Sequence, residues 1–329
     1  MTAGTMRVGA VPGRHALHVG ERVWPESNCY IDLWIELLHA RGLDPVAALP
    51  FTLTTDFEGD QWTFGKFPHA DLGALYAIEI IELNIWRPLL RHLEEQLAMA
   101  RTPIVEVDGF YLADTAGTSY RAEHVKTTIA IRQLDSDARR LDYWHNAGAY
   151  EISGEDFSGL FNLEHSHQTR LAPYVEVVKR RTRPPCRGRT LVDESIRLLC
   201  HHVAHRPATN PFHRYADRLT TDLDWLAAGT LDDFHGYAFG TFRQYGAAFE
   251  LAAAYLRWLE RHGELELDAV AVDCDAIASA AKALQFKVAR LAQTRRRFEF
   301  EPIVETMATA WDNAMNALEL RYGALPLHD

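Results

Sequence analysis

Three residues in the first half of the chain have the types and the order that acyl transfer requires: Cys29, His124 and Asn146. Cys29 stands where an amphipathic helix begins. In "WPESNCYIDLWIELLHARGL", polar Ser27 and Asn28 precede it and an apolar stripe of Leu33, Trp34, Leu37 and Leu38 follows. The nucleophile of sulfur chemistry is the thiolate, and the positive end of a helix dipole favours that form. Such a thiol works with an imidazole within hydrogen-bond reach, itself oriented by a third polar group. His124 opens "HVKTTIAI" and Asn146 closes "LDYWHN". Antiparallel strands joined by a tight connection bring the start of the first beside the end of the second. Alternation sends His145 and Asn146 to opposite faces. The expected site is therefore Cys29 as nucleophile, His124 as base and Asn146 as orienter, with His145 as substitute for Asn146.

Each member also has a plain structural use. A lone Cys serves as a small buried hydrophobe. A His at a strand start is an ordinary surface residue, and Asn146 before Ala147-Gly148 is a turn residue. Other residues carry the same double reading. "DFEGDQWTF" gathers Glu58, Asp60 and Gln61 beside Trp62: a wall for a substrate ammonium group, or a solvated acidic loop over an aromatic anchor. Asp108, in the apolar stretch "VEVDGFYL", is expected to be paired or to face a pocket. Tyr120 and Arg121, just before His124, border the expected cleft or pack a loop. Oxyanion donors are the backbone N–H of Cys29 and the side chain of Asn28 or Gln61. "HHVAH" sets His201 and His205 four apart, but no Glu follows the first and no third ligand is evident, so a surface reading is preferred to a metal site. "EHSH" (164–167) is read the same way. No metal and no cofactor is expected.

The elements that position these residues read as follows. A helix is expected over residues 28–42, ended by Gly42. Another spans 71–100, interrupted at Pro88. Strands follow at Thr102–Leu112 and His124–Asp135, then a third, a turn over Asn146–Gly148, a short fourth, and a helix start at "GEDFSGLF". Residues 168–190 read as a linker, with three prolines and six basic residues from Lys179 to Arg189. Helices are expected at 190–205, 212–228, 231–262, 273–296 and 302–322. The result is α+β: a domain over 1–167, a basic linker over 168–190 and an all-helical domain over 191–329.

Composition narrows the classes further. Among 329 residues, 47% are hydrophobic and 24% charged, which suits a globular core. No apolar run approaches the roughly 18 residues of a membrane span. The four cysteines are widely spaced, and no secretory signal is visible, so reduced thiols and a cytoplasmic setting are expected. A net charge of -11 disfavours DNA as a partner. The basic runs "KRRTRPPCRGR" and "TRRRFEF" leave room for tRNA phosphate or an acidic carrier protein.

The order Cys on a first helix, His at a strand start, Asn or Asp on the next strand is that of papain-like folds. The stretches "ESNCYIDLWIELLHARGL", "DFEGDQWTF", "VEVDGFYLADTAGTSYRAEHVKTTIAI" and "WHNAGAYEISGEDF" resemble a bacterial family of biosynthetic gene clusters that includes the valanimycin seryltransferase. The middle stretch also resembles the papain-like N-terminal domain of the butirosin acyltransferase. The resemblance implies a papain-like domain followed by a helical one. It implies transfer of an amino acid from an aminoacyl-tRNA or a carrier-protein thioester to a small amine or hydroxylamine. Cys29 matches the nucleophile and His124 the base. Asn146, or His145, falls where the butirosin-type domain has Asp, and the Gln that papain-like peptidases carry before the Cys is missing. A cysteine hydrolase with the same residues, or a non-catalytic scaffold that docks a carrier protein, are the rival readings.

Overall fold

β-Branched residues at alternate positions turn the middle of the chain into a sheet. In the computed structural model, which describes residues 13–164 and 172–323, six strands form: β1 (Ile78–Glu82), β2 (Thr102–Asp108), β3 (Lys126–Asp135), β4 (Arg140–His145), β5 (Gly148–Ser153) and β6 (Val175–Arg180). Their order across the sheet is β1-β6-β2-β3-β4-β5. The β6-β2, β2-β3, β3-β4 and β4-β5 pairs are antiparallel. With a helical C-terminal region, this is an α+β protein.

The chain divides into two units, neither continuous in sequence. The sheet unit is Met1–Gly20, Asp32–Pro45 and Ile80–Lys179; the helical unit is Glu21–Ile31, Val46–Glu79 and Arg180–Asp329. In the sheet unit, Val105, Ile129, Ile131 and Tyr143 form one face of the sheet. They pack with Leu93 of α3 (Leu89–Ala98) and Phe157 of α4 (Gly154–Leu160) into the core. On the opposite face, Trp144 and Ala149 border a narrow crevice with Glu36, His39 and Ala40 of α1 (Cys29–Ala40). Beneath α1, His18 is buried between two carboxylates, with Nδ1 2.5 Å from Glu36 Oε1 and Nε2 3.2 Å from Asp32 Oδ1. Burial opposes its charge, but the hydrogen bonds to Asp32 and Glu36 win and raise its pKa.

The helical unit holds α2 (His69–Tyr76), α5 (Arg189–Ala204), α6 (Pro211–Ala228), α7 (Leu231–Gly240), α8 (Phe242–Arg261), α9 (Asp268–Thr294) and α10 (Glu301–Tyr322). Its central element is α8, buried on most of its circumference and packed along α9, which packs in turn on α10. Among the described residues no helix is long and apolar enough to cross a membrane.

Three expected elements differ. The helix expected over 71–100 is helix, strand, helix: α2 stops at Ala77, in the left-handed conformation (φ 56°), and β1 begins at the next residue. A stop without glycine leaves no mark in the sequence. The expected linker contains β6, whose residues Val175–Val178 are all buried, between flanking prolines and arginines. The helix expected over 231–262 breaks at Thr241 (φ -122°, ψ -89°) into α7 and α8.

Candidate active site

The strands β2 and β3 are adjacent, and the loop between them is closed at its base. Asp108 lies opposite Lys126, and the Gly109 N–H donates to the Val125 carbonyl at 2.8 Å. Position 109 has no room for a side chain: a Cβ there would lie 2.8 Å from Ser119 Oγ and 3.2 Å from Val125 Cγ2. The closed base brings the two flanking residues together. Asp108 Oδ2 is 2.6 Å from His124 Nδ1. The other oxygen, Oδ1, accepts the Phe110 N–H at 3.0 Å and caps the short turn Gly109–Tyr111. The carboxylate is thus fixed by its own backbone before it meets the imidazole. A carboxylate on Nδ1 assigns the ring proton to that nitrogen and leaves Nε2 as the basic atom. Phe110 stacks on the imidazole, with ring centroids 4.4 Å apart and planes 13° from parallel. The His124 side chain is 67% exposed, and its Nε2 makes no hydrogen bond among the described residues.

Tyr120 and Arg121 frame this loop from the side. The Tyr120 hydroxyl donates to Asp156 Oδ2 at 2.9 Å, and Arg121 reaches Asp156 Oδ1 at 2.5 Å. Arg121 has a φ of 54°, and its N–H donates to the Phe110 carbonyl. Its guanidinium also lies over the Phe110 ring at 5.8 Å. Both residues therefore tie the loop to α4. Tyr111 packs where Gly159 of α4 leaves space; a Cβ there would come within 2.1 Å of the ring.

The expected third member is corrected. Asn146 is not the partner of His124. It occupies the β4–β5 turn with a φ of 46°, a conformation Asn tolerates better than most residues. His145 is not the substitute either. Its Nδ1 is 2.5 Å from Asp114 Oδ2 and its Nε2 2.7 Å from Thr127 Oγ1. The other Asp114 oxygen accepts the Tyr143 hydroxyl at 2.5 Å. Burial, then the Asp114 charge and hydrogen bond, push the Tyr143 hydroxyl well above the usual phenol range. His145 and Asp114 are 1% and 4% exposed, so this network is internal.

The remaining expected residues lie in the helical unit. Cys29 is the first residue of α1 and is half-buried. Asn28 caps that helix: its Oδ1 accepts from the N–H groups of Tyr30 (3.1 Å) and Ile31 (2.9 Å). Its Nδ2 donates to the Gly65 carbonyl at 2.9 Å. Asn28 thus spends its amide on structure and is 2% exposed, which removes it as a substrate contact. In "DFEGDQWTF", Phe57 and Trp62 bridge as a small hairpin and are buried. Trp62 packs with Phe212, Tyr215 and Tyr245, which makes it a core residue rather than the open face of an ammonium site. Glu58, Asp60 and Gln61 form the exposed tip, and Asp56 pairs with Arg214.

A family model described as the DUF1839 N-terminal domain matches residues 13–180, and one described as the DUF1839 C-terminal domain matches residues 188–320. The chain belongs to the DUF1839 family. No curated protein matches it. The DUF1839 N-terminal match contains the whole Asp108–His124 loop as well as Cys29.

The histidine pair in this DUF1839 chain's "HHVAH" is exposed at His201 and His205, while His202 between them is buried against Asp71 at 2.7 Å. Among the described residues, no group of three or more His, Cys, Asp or Glu is arranged to hold a metal. Of "EHSH", residues 165–167 lie outside the described residues. Sequence reasoning missed Phe110 as the ring under the imidazole and Asp108 as the specific partner of His124. Only part of the signal was present: an acid at the end of one strand and a His at the start of the next flank one loop, but the same stretch holds a second acid, Asp114.

Proposed function

We propose that this DUF1839 protein is an acyl- or aminoacyltransferase whose general base is His124, oriented by Asp108. The observation that carries the reading is the dyad itself: one imidazole nitrogen held by a carboxylate at 2.6 Å, the other open to solvent. A base of this kind contributes about 10²- to 10⁴-fold to proton transfer. Cys29 is the proposed nucleophile, and its place as the first residue of a capped helix supports that role. The thiol and the dyad belong to different units of the chain, and the proposal gives them separate roles: Cys29 carries the acyl group and His124 frees the acceptor amine of its proton.

In the first step the Cys29 thiol gives its proton to water and the sulfur attacks the donor carbonyl. A carbon–sulfur bond forms, and the donor's C–S bond (a carrier thioester) or C–O bond (an aminoacyl-tRNA) breaks. The leaving group takes up a proton from water. In the second step the acceptor ammonium loses a proton to His124 and, as the free amine or hydroxylamine, attacks the acyl-cysteine; the carbon–sulfur bond breaks and the sulfur leaves with the amine's displaced proton, restoring the thiol. The order of a helix with the thiol and an antiparallel sheet with the imidazole supports kinship with the papain-like acyltransferase domain of butirosin assembly. The motif likeness supports kinship with the valanimycin seryltransferase.

The dyad is complete within one unit, and this favours a second reading: His124 deprotonates the acceptor for direct attack on the donor, with no acyl-enzyme. Intact-protein mass spectrometry with seryl-tRNA or an aminoacyl carrier protein tests both. The first reading expects an acyl adduct on Cys29 that an added amine removes, and loss of turnover in Cys29→Ala. The second expects no adduct and full turnover in that variant. Turnover by water alone, indifferent to the acceptor, means a hydrolase. A protein that keeps its cellular function in His124→Gln and Cys29→Ala is a docking scaffold, and the transferase reading falls.

A further inference from the structure

From the end of β1 into the first turn of α3 the chain runs "LNIWRPLLRH", and it lines a cavity of about 270 Å³ in the sheet unit. The walls are mixed. Leu83, Ile85, Leu93 and Val175 supply an apolar floor, and Arg87 and His92 supply nitrogen donors. At its edge Trp86 is 77% exposed, although a large flat ring gains from leaving water. The Arg87 guanidinium lies over that ring, 5.1 Å from its centroid. One of its terminal nitrogens pairs with Glu95 at 2.6 Å, while Nε is buried with no hydrogen-bond partner. The side chain as a whole is 28% exposed and lines the cavity. His92 Nε2 accepts from the N–H groups of Trp86 (3.3 Å) and Arg87 (3.4 Å), which leaves Nδ1 as the donor nitrogen. The imidazole is edge-on to Trp86 at 5.7 Å.

We propose that this cavity is a binding site for a small acid carried on a flat ring, an aromatic or heteroaromatic carboxylate or phosphate. The acid group meets the accessible edge of the Arg87 guanidinium and His92 Nδ1, the ring lies on Trp86, and the apolar floor takes the edge of the ring. A cationic ligand is disfavoured, because the only carboxylate at the rim among the lining residues, Glu95, is already neutralised by Arg87. The site is independent of the dyad and of the transferase reading.

The test is saturation-transfer NMR on the full chain with benzoate, phenyl phosphate and benzylamine as probes. Benzoate or phenyl phosphate should saturate below about 10 mM, and benzylamine should not. Whichever acid binds names the carboxylate or the phosphate as the group recognised. Arg87→Gln should weaken binding about tenfold or more, the loss of one charge-assisted hydrogen bond. Trp86→Ala should weaken both acids, and its exposure makes misfolding an unlikely confounder that a thermal melt checks. Glu95→Gln should tighten both acids by freeing the guanidinium. Saturation by neither acid, equal binding of benzylamine, or an Arg87→Gln protein that binds as the native chain does overturns the proposal.

Discussion

Two histidines in the sheet unit receive a carboxylate on Nδ1 at nearly the same distance, 2.6 Å from Asp108 to His124 and 2.5 Å from Asp114 to His145. They differ in everything else. His145 spends its second nitrogen on Thr127 inside the core, and its Asp also serves Tyr143. His124 keeps its second nitrogen open and lies on an aromatic ring at the surface. A carboxylate–imidazole pair is therefore not in itself a catalytic sign. The unspent nitrogen and its access to solvent separate the dyad that can move a proton from the network that holds strands together.

That contrast breaks if function and stability do not separate along it. The largest effect is expected from His124→Gln, with transfer slowed about 10²- to 10⁴-fold and the urea midpoint unchanged. Asp114→Ala should do the opposite. It strands His145 and the Tyr143 hydroxyl in the core and should cost about 3–5 kcal/mol in urea unfolding, the toll of breaking a buried pair from one side. Asp108→Asn leaves the shape but removes the charge, so single-turnover rates should fall about ten- to hundredfold. Its stability cost should stay below about 1 kcal/mol, because the pair is largely exposed. The smallest effect belongs to Asn146→Ala. It should lose about 1 kcal/mol for the left-handed turn and leave the rate alone; a rate loss would return Asn146 to the site.

His18 adds a pH arm. Its pKa is raised in the folded chain above the ordinary 6.5. The stability it contributes is fully present below pH 6.5 and disappears as the pH rises through the folded value. The stability difference between the native chain and His18→Gln should therefore shrink on going alkaline. A difference that grows with pH would mean that Asp32 and Glu36 do not hold the cation.

Much of the fold was legible because period and composition act locally. The helix at Cys29, the strand pair around the Asp108–His124 loop and the long C-terminal helices all announce themselves in alternation or in a 3.6-residue stripe. The misses have local causes of another kind. Ala77 ends a helix in a conformation that sequence assigns to glycine, and β6 hides between prolines and arginines. At the site, His124 was legible from its place at a strand start, while its partner was not. Strand order suggested the neighbour across β4, but the ladder closes the loop first and presents Asp108. Nothing in the sequence distinguishes the two acids of "VDGFYLAD", since their roles depend on which side of the sheet each one reaches.

The hydrogen bond from Gly109 to Val125 has a consequence for how this protein tolerates change. It fixes the separation of Asp108 and His124 at the neck of the loop, so the tip beyond it does not set that distance. Ala116, Gly117 and Thr118 lie at that tip, all exposed, with Gly117 at a φ of 91°. Insertions there cost only about 0.6 kcal/mol for each doubling of length. The tip is a natural graft point, where new contacts can be added while the Asp108–His124 geometry stays put.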